Sequence, residues 1–253
     1  MKPLAVRFRQ VMLPALLVAG CAPVSAGEFS VNPIRLEMGA SVRSGVISVK
    51  NEGQDKLSFQ MQAMEWTQDG QGQDQYAETQ DMIFFPKLMT VEPGQEGVIR
   101  IGTKFPVVPR EKTYRLFIEE LPGAVKPAPT QGAQVTVMIR FGAPIFVKPL
   151  KPENRLEVDK IELAKGELSL VARNTGNQHQ IVEGIQLRGT DSQGREVYTM
   201  MLADRYLLAG TSKRYSTAIP TDQCPKITAL AIDFKTDKVV QNVKLEVDKA
   251  MCS

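Results

Sequence analysis

From Phe29 to the end of the chain, short runs rich in Val, Ile, Thr, Tyr and Phe alternate with clusters of Gly, Asn, Asp and Pro. Almost no stretch repeats its apolar residues at the helical period. Runs of this kind, cut at intervals by turn residues, read as strands of an antiparallel sandwich or barrel. A first set of candidate strands covers 29–38, 45–50, 57–66, 82–85, 97–101, 113–121 and 134–147. A second set covers 156–163, 167–174, 180–188, 196–201, 212–218, 226–234 and 239–247. Between them lie Pro149 and Pro152, which cannot donate ladder hydrogen bonds, so 149–154 reads as a linker.

Seven strands in about 120 residues is the count of an immunoglobulin-like domain. The expected fold is therefore all-β: two immunoglobulin-like β-sandwich domains, over 27–148 and 155–253, joined by a short stiff linker into an elbow. The halves share strand character but no evident sequence repeat. Residues 71–75, beside Gly70, read as a polar turn with too few acids for a calcium loop.

Residues 1–26 stand apart. Lys2, Arg7 and Arg9 precede a short apolar stretch from Val11 to Ala19, and Val24-Ser25-Ala26 offers small residues for cleavage, the three parts of a secretory signal. The stretch is too short to span a bilayer, and no later window approaches the roughly 18 apolar residues a span needs. Val18-Ala19-Gly20-Cys21 also fits a lipobox, which would leave Cys21 lipidated. Cleavage after Ala26 is favoured, because a strand begins almost at once at Phe29 and leaves little tether. An exported, soluble protein without stable membrane insertion is expected.

The chain's formal charge of +3 resides wholly in that leader. Beyond Ala26 the 28 basic and 28 acidic residues balance, which argues against a general nucleic-acid binder. The same cut removes Cys21 and leaves Cys224 and Cys252, an even pair that in an exported protein reads as a disulfide. Closing that loop should contribute about 3–4 kcal/mol.

His179 is the one histidine in the sequence, which excludes multi-His metal sites and leaves Ser-His or Cys-His catalysis a single route. It sits beside Asn177 and Gln178 and reads as a turn residue. No nucleophile motif is present, and nothing implies a cofactor, so an exported hydrolase is a poor reading. Trp66 and Phe59 read as core.

The run at 134–147 carries the most specific pattern. Val135, Val137, Ile139 and Phe141 alternate with Thr136, Met138 and Arg140, so one face is continuously apolar. Alternation alone leaves two readings open, a face packed inside this chain's own core or a face offered to a partner. Met138 adds an apolar residue on the other side.

Several segments together resemble a known family. They are Phe-Ser-Val-Asn-Pro-Ile-Arg-Leu-Glu-Met at 29–38, Val-Ile-Ser-Val-Lys-Asn at 46–51 and Phe-Gln-Met-Gln-Ala-Met-Glu-Trp at 59–66. Phe-Pro-Lys-Leu-Met-Thr-Val-Glu-Pro-Gly at 85–94, Gly-Val-Ile-Arg-Ile at 97–101, Tyr-Arg-Leu-Phe-Ile-Glu-Glu-Leu-Pro at 114–122 and the run 134–149 complete the set. In order and spacing this resembles the periplasmic pilus-assembly chaperones of the chaperone–usher pathway. The resemblance covers about 120 residues of the first domain; the second matches only in size and strand character.

The resemblance implies a boomerang that caps pilus or fimbrial subunits, lends its last first-domain strand to their open groove, and hands them to an outer-membrane usher. Strand addition of this kind draws affinity from main-chain hydrogen bonds and specificity from alternate side chains. It makes Val135, Val137, Ile139 and Phe141 the donor face. It also implies two basic residues that anchor the subunit's terminal carboxylate. Arg35 stands at the first place, with a fork suited to a carboxylate. The second place, normally a Lys on the last strand, falls on Pro144. Arg140 is the expected substitute, ahead of Arg100 and Arg115, and the departure points to a divergent branch. The family's inter-domain ion pair finds first-domain partners in Glu111 and Lys148, with no placeable second-domain acid. The loop from Pro122 to Pro129 lacks large apolar residues and suggests a short-loop chaperone.

A rival reading is a pilus subunit or surface adhesin. Such subunits are single incomplete domains with a polar N-terminal extension, whereas here strands begin at Phe29 and two full sets follow.

Overall fold

The computed structural model describes residues 28–123 and 137–253. The first expected strand is split by Pro33, which has no N–H for a ladder. Its first half, β1 (Phe29–Asn32), pairs antiparallel with β3 (Ser44–Asn51). Its second half, β2 (Leu36–Met38), crosses to the opposite sheet and runs parallel to β10 (Arg140–Val147). The first sandwich is completed by β4 (Leu57–Gln68), β5 (Asp74–Glu78), β6 (Met82–Phe85), β7 (Leu88–Val91), β8 (Glu96–Thr103) and β9 (Lys112–Leu121). One sheet has the order β1-β3-β8-β6 and the other β2-β10-β9-β4-β5, with β7 also on β4.

Alternation decides what lies between the sheets. Ile47 and Val49 of β3 with Ile99 and Ile101 of β8 meet Phe59, Leu116, Ile118 and Ile145 from the other sheet. Burying each such side chain contributes roughly 1.5–3 kcal/mol.

The second sandwich uses β11 (Leu156–Ala164), β12 (Glu167–Asn174) and β16 (Ser212–Ala218) in one sheet. Its other sheet has the order β14-β13-β17-β18, from β13 (Gln180–Thr190), β14 (Glu196–Leu202), β17 (Ala229–Thr236) and β18 (Val240–Glu246), with β15 (Tyr206–Leu207) on β13. Leu168, Leu170, Leu187, Ile232 and Phe234 lie in its core. Cys224 and Cys252 form a disulfide with Cα atoms 5.7 Å apart, joining two short 3-10 turns. The backbone of Gly166 bonds Met251, so the chain end is tied to the turn after β11.

The two sandwiches share a module that no sequence repeat announces. Asn51 ends β3 and is fully buried; its Nδ2 donates to the carbonyls of Asp55 and Val91, and its Oδ1 accepts from Gly53 N. Asn174 ends β12 and does the same with Gln178, Leu207 and Gly176. In both, the asparagine carbonyl accepts from a left-handed glycine three residues beyond the second carbonyl, Gly94 or Gly210. The shared sequence is only Asn-x-Gly, too short to stand out in a chain so rich in turn residues.

Three expectations shift. The strand expected at 134–147 begins at Arg140; 134–136 lie outside the described residues, and Val137 to Ile139 precede the strand. The polar run at 71–75 divides into a turn capped by Asp69, which accepts from Gln71 N and Gln73 N, and the start of β5. β5 is exposed throughout, so it has no apolar alternation to betray it. His179 precedes β13, yet it is 3% exposed and no ordinary surface turn residue.

Candidate functional site in the last strand of the first sandwich and the elbow

Pairing with β9 gives β10 two different faces. Phe141, Ala143, Ile145 and Val147 point to the core, and Arg140, Gly142, Pro144 and Phe146 point outward. The expected donor residues are the upward continuation of the core-facing set. Val135 lies outside the described residues. Phe141 packs on the core from a half-buried position, Ile139 is half-buried, and Val137 is 51% exposed. The core reading therefore holds for Ala143, Ile145 and Val147, while Phe141, Ile139 and Val137 are progressively less covered. The lower half is core; the upper half runs past it.

The edge of β10 is divided at the same place. β2 covers only Ile145 to Val147. Along Arg140 to Pro144 no strand lies on that side among the described residues. Such an edge is a template for another strand.

Arg35 immediately precedes the parallel pair Leu36–Ile145, which puts it level with Pro144, and Pro144 in turn pairs with Arg115. Arg35 is exposed and lies 4.0 Å from Glu37 on the same outer face. Arg115 is more buried: its guanidinium lies 3.9 Å over Trp66, and Nη1 donates to the carbonyl of Gly142. Two guanidinium side chains thus flank a proline that has no N–H. Arg140 stands four residues further up β10, on the order of 13 Å away at strand rise. It covers the ring of Phe117 at 3.9 Å and lies 3.6 Å from Glu119. Gly142 makes room for that ring, since a Cβ there would come within 3.1 Å of Phe117. Arg140 and Arg35 are therefore not brought together. Arg100 is on β8, in the other sheet.

Glu111 and Lys148 do not meet either. Lys148 bonds Glu37 inside the first sandwich. Burial would push the Glu37 carboxyl up, but the hydrogen bond and charge of Lys148, with Arg35 nearby, hold it below the usual carboxylate range. Glu111 is the residue that crosses the junction, and its partner is His179 rather than an acid-bridged lysine. The backbone N–H of His179 donates to Glu111 Oε2 at 2.6 Å, and ring Nδ1 lies 2.8 Å from the same oxygen. The imidazole stacks on Phe146 with ring centres 3.7 Å apart.

Trp66, expected in a sandwich core, instead joins Phe146, Tyr206 and Leu208 in a separate cluster at the elbow. Asn177 fastens the linker side, donating to the carbonyls of Pro109 and Lys151 while its own carbonyl accepts from Glu111 N. Gln68 fastens the side of the β4–β5 hairpin. Phe59, by contrast, is in the first core as expected.

Among the described residues no group of three or more His, Cys, Asp or Glu could hold a metal ion, and no helix is long and apolar enough to cross a membrane. The signal cleavage site at Ala26 and Cys21 fall outside the described residues.

Residues 28–153 match the family of pili and flagellar-assembly chaperones, PapD N-terminal domain. Among curated proteins no significant match is found. Several solved structures share the fold. The Salmonella enterica SafB chaperone complex with the SafA pilin superposes with a TM-score of 0.59 at 13% identity, over 88% of this chain and 99% of that one. The CsuC–CsuE chaperone–tip subunit complex from archaic Csu pili of Acinetobacter baumannii gives 0.56 at 18% identity, over 86% and 97%. The E. coli chaperone DraB gives 0.53 at 14% identity, over 88% and 98%. With its first sandwich matching that domain and the two-sandwich fold shared along nearly all of its length, the chain belongs to the pilus-assembly chaperones of the chaperone–usher pathway.

Proposed function

We propose that this chaperone works in the periplasm by donor-strand complementation, with the bare upper edge of β10 as the strand it lends. The observation that carries the reading is the split strand: core below Phe141, open and apolar above it. A subunit strand laid along Arg140 to Pro144 would find main-chain partners there, and Val137, Ile139 and Phe141, with Val135 before them, would enter its groove. The capped subunit is kept from premature assembly and delivered to an outer-membrane usher. The role is binding and release, without enzymatic chemistry or a cofactor.

The subunit's terminal carboxylate is anchored by Arg35. We assign the second contact to Arg115, because it shares the row of Arg35 across Pro144, whereas Arg140, the residue the sequence suggested, stands higher on the strand. A guanidinium pair suits two-pronged carboxylate recognition. Co-expression with a fimbrial subunit in one periplasm should yield a soluble heterodimer. Arg35→Glu should abolish that complex while the chaperone stays folded, and Ile139→Asp should do so through the groove. A subunit equally soluble and protease-resistant alone would overturn the reading.

A further inference from the structure

We infer that Gln68 is the positioning residue of the elbow, the side chain that sets the angle between the two sandwiches. It is the last residue of β4, and its amide is fully used. Nε2 donates to the carbonyl of Tyr206 at 2.9 Å and to Asp74 Oδ1 at 3.1 Å. Oε1 accepts from Leu208 N at 3.0 Å and, at 3.2 Å, shares the single hydroxyl proton of Thr211 with the carbonyl of Leu208. A side-chain amide has two N–H donors and two acceptor lone pairs, so nothing is left over.

Three of the four bonds reach the second sandwich, and they grip a segment that cannot yield alone. Leu207 is buried in the second core, and Gly210 N is bonded to the Asn174 carbonyl. Holding residues 206–211 therefore holds the whole second sandwich. On the near side the grip leads to Arg115: Asp74, bonded to Gln68, is 3.9 Å from Arg115 Nη2, and Arg115 covers Trp66. Tyr206 meets Trp66 edge-on at 5.3 Å, closing the wall beside that guanidinium. Among the described residues the one acid–base side-chain pair crossing the junction is Glu111 with His179. The latch at Gln68 is a neutral amide, so salt should not loosen it.

Trp66 is the only tryptophan and is fully buried at this junction, so its fluorescence reports on the elbow in the free chain, independently of any partner. Gln68→Glu keeps the length and the acceptor, removes both donors, and sets a charge beside a carbonyl and a carboxylate. At neutral pH acrylamide quenching of Trp66 should rise several-fold while far-UV circular dichroism is retained. Acidification to about pH 4 restores an O–H donor to the new carboxyl and should bring quenching back toward wild type measured at the same pH. Asp74→Asn added to Gln68→Glu offers the carboxylate an N–H and should rescue part of the effect at neutral pH. Gln68→Met, similar in volume and without hydrogen bonds, should raise quenching at both pH values. Unchanged quenching in both single variants overturns the inference. A rise in Gln68→Glu that neither acid nor Asp74→Asn reverses overturns it too, since that is general loosening and not a lost amide.

Discussion

Both sandwiches are built on the same buried asparagine module, yet they finish their sheets in opposite ways. In the second, β18 pairs with β17 from Val240 to Glu246. Its outer edge is blunted by polar and charged residues, including the Lys244–Glu246 pair, and Gln241 tethers it to the carbonyl of Leu156. The disulfide then fastens the chain end beside it. In the first, β10 has the single charge of Arg140 between Ile139 and Pro144, and among the described residues its upper edge is bare. Sheet proteins ordinarily protect such edges with charge, tethers or covering segments. The second sandwich does so. The first withholds that protection from one half of one strand, the half proposed above as the donor.

The comparison can be broken first at the disulfide. Cys224→Ser should cost the second sandwich about 3–4 kcal/mol, from release of a loop spanning a separation of 28 residues. Denaturant unfolding with domain-resolved probes should show the first sandwich unmoved; equal losses in both would mean the two are one cooperative unit. Next, Ile145→Ala should cost about 3 kcal/mol, as a fully buried core truncation. Val137→Ala, eight positions up the same run, should change stability by less than about 0.5 kcal/mol. Similar costs at the two sites would erase the division of the strand.

Asn51→Ala and Asn174→Ala should each cost about 2 kcal/mol, because two carbonyls and one N–H lose their buried partner in each case. Markedly unequal losses would show that the shared geometry is not a shared support. The smallest effect is acid-side. The Lys112 hydrogen bond, reinforced by Tyr114, holds the Asp81 carboxyl below its usual range against the opposing effect of burial. A depressed value contributes stability that is present above about pH 4 and lost as pH falls through the lowered folded value. Asp81→Asn should flatten that limb for the first sandwich alone, by under about 1 kcal/mol. Domain-resolved melting from pH 6 to pH 2.5 measures it.

Most of the layering was legible because alternation is a local signal: Ile47 and Val49, or Leu168 and Leu170, announce their faces without tertiary help. Edge strands were not. β5 is exposed at every residue, so nothing in its composition separates it from the preceding turn. The first strand's change of sheet at Pro33 shows in the sequence only as a change of phase, from Phe29 and Val31 to Leu36 and Met38, in runs too short for it to stand out. Arg35 is singled out by the resemblance to the family and not by its strand pattern. Arg115 could not be ranked above Arg140, since its place beside Arg35 depends on two registers, β2 against β10 and β10 against β9. His179 looked like a turn residue from its polar neighbours, and the chain does turn there. Its burial comes from Phe146 and Glu111, 33 and 68 residues away in sequence. The elbow is non-local in every contact, which is why Trp66 and Phe59 looked alike in sequence and lie in different clusters.

Amide hydrogen exchange tests the central claim most directly, comparing free chaperone with its complex with a co-expressed fimbrial subunit. The account predicts that the amides of Arg140 and Gly142, which face the open edge and not β9, exchange quickly in the free chain and become strongly protected in the complex, while those of β18 do not change. Protection that appears on β18 or elsewhere, with Arg140 and Gly142 unaltered, would contradict it.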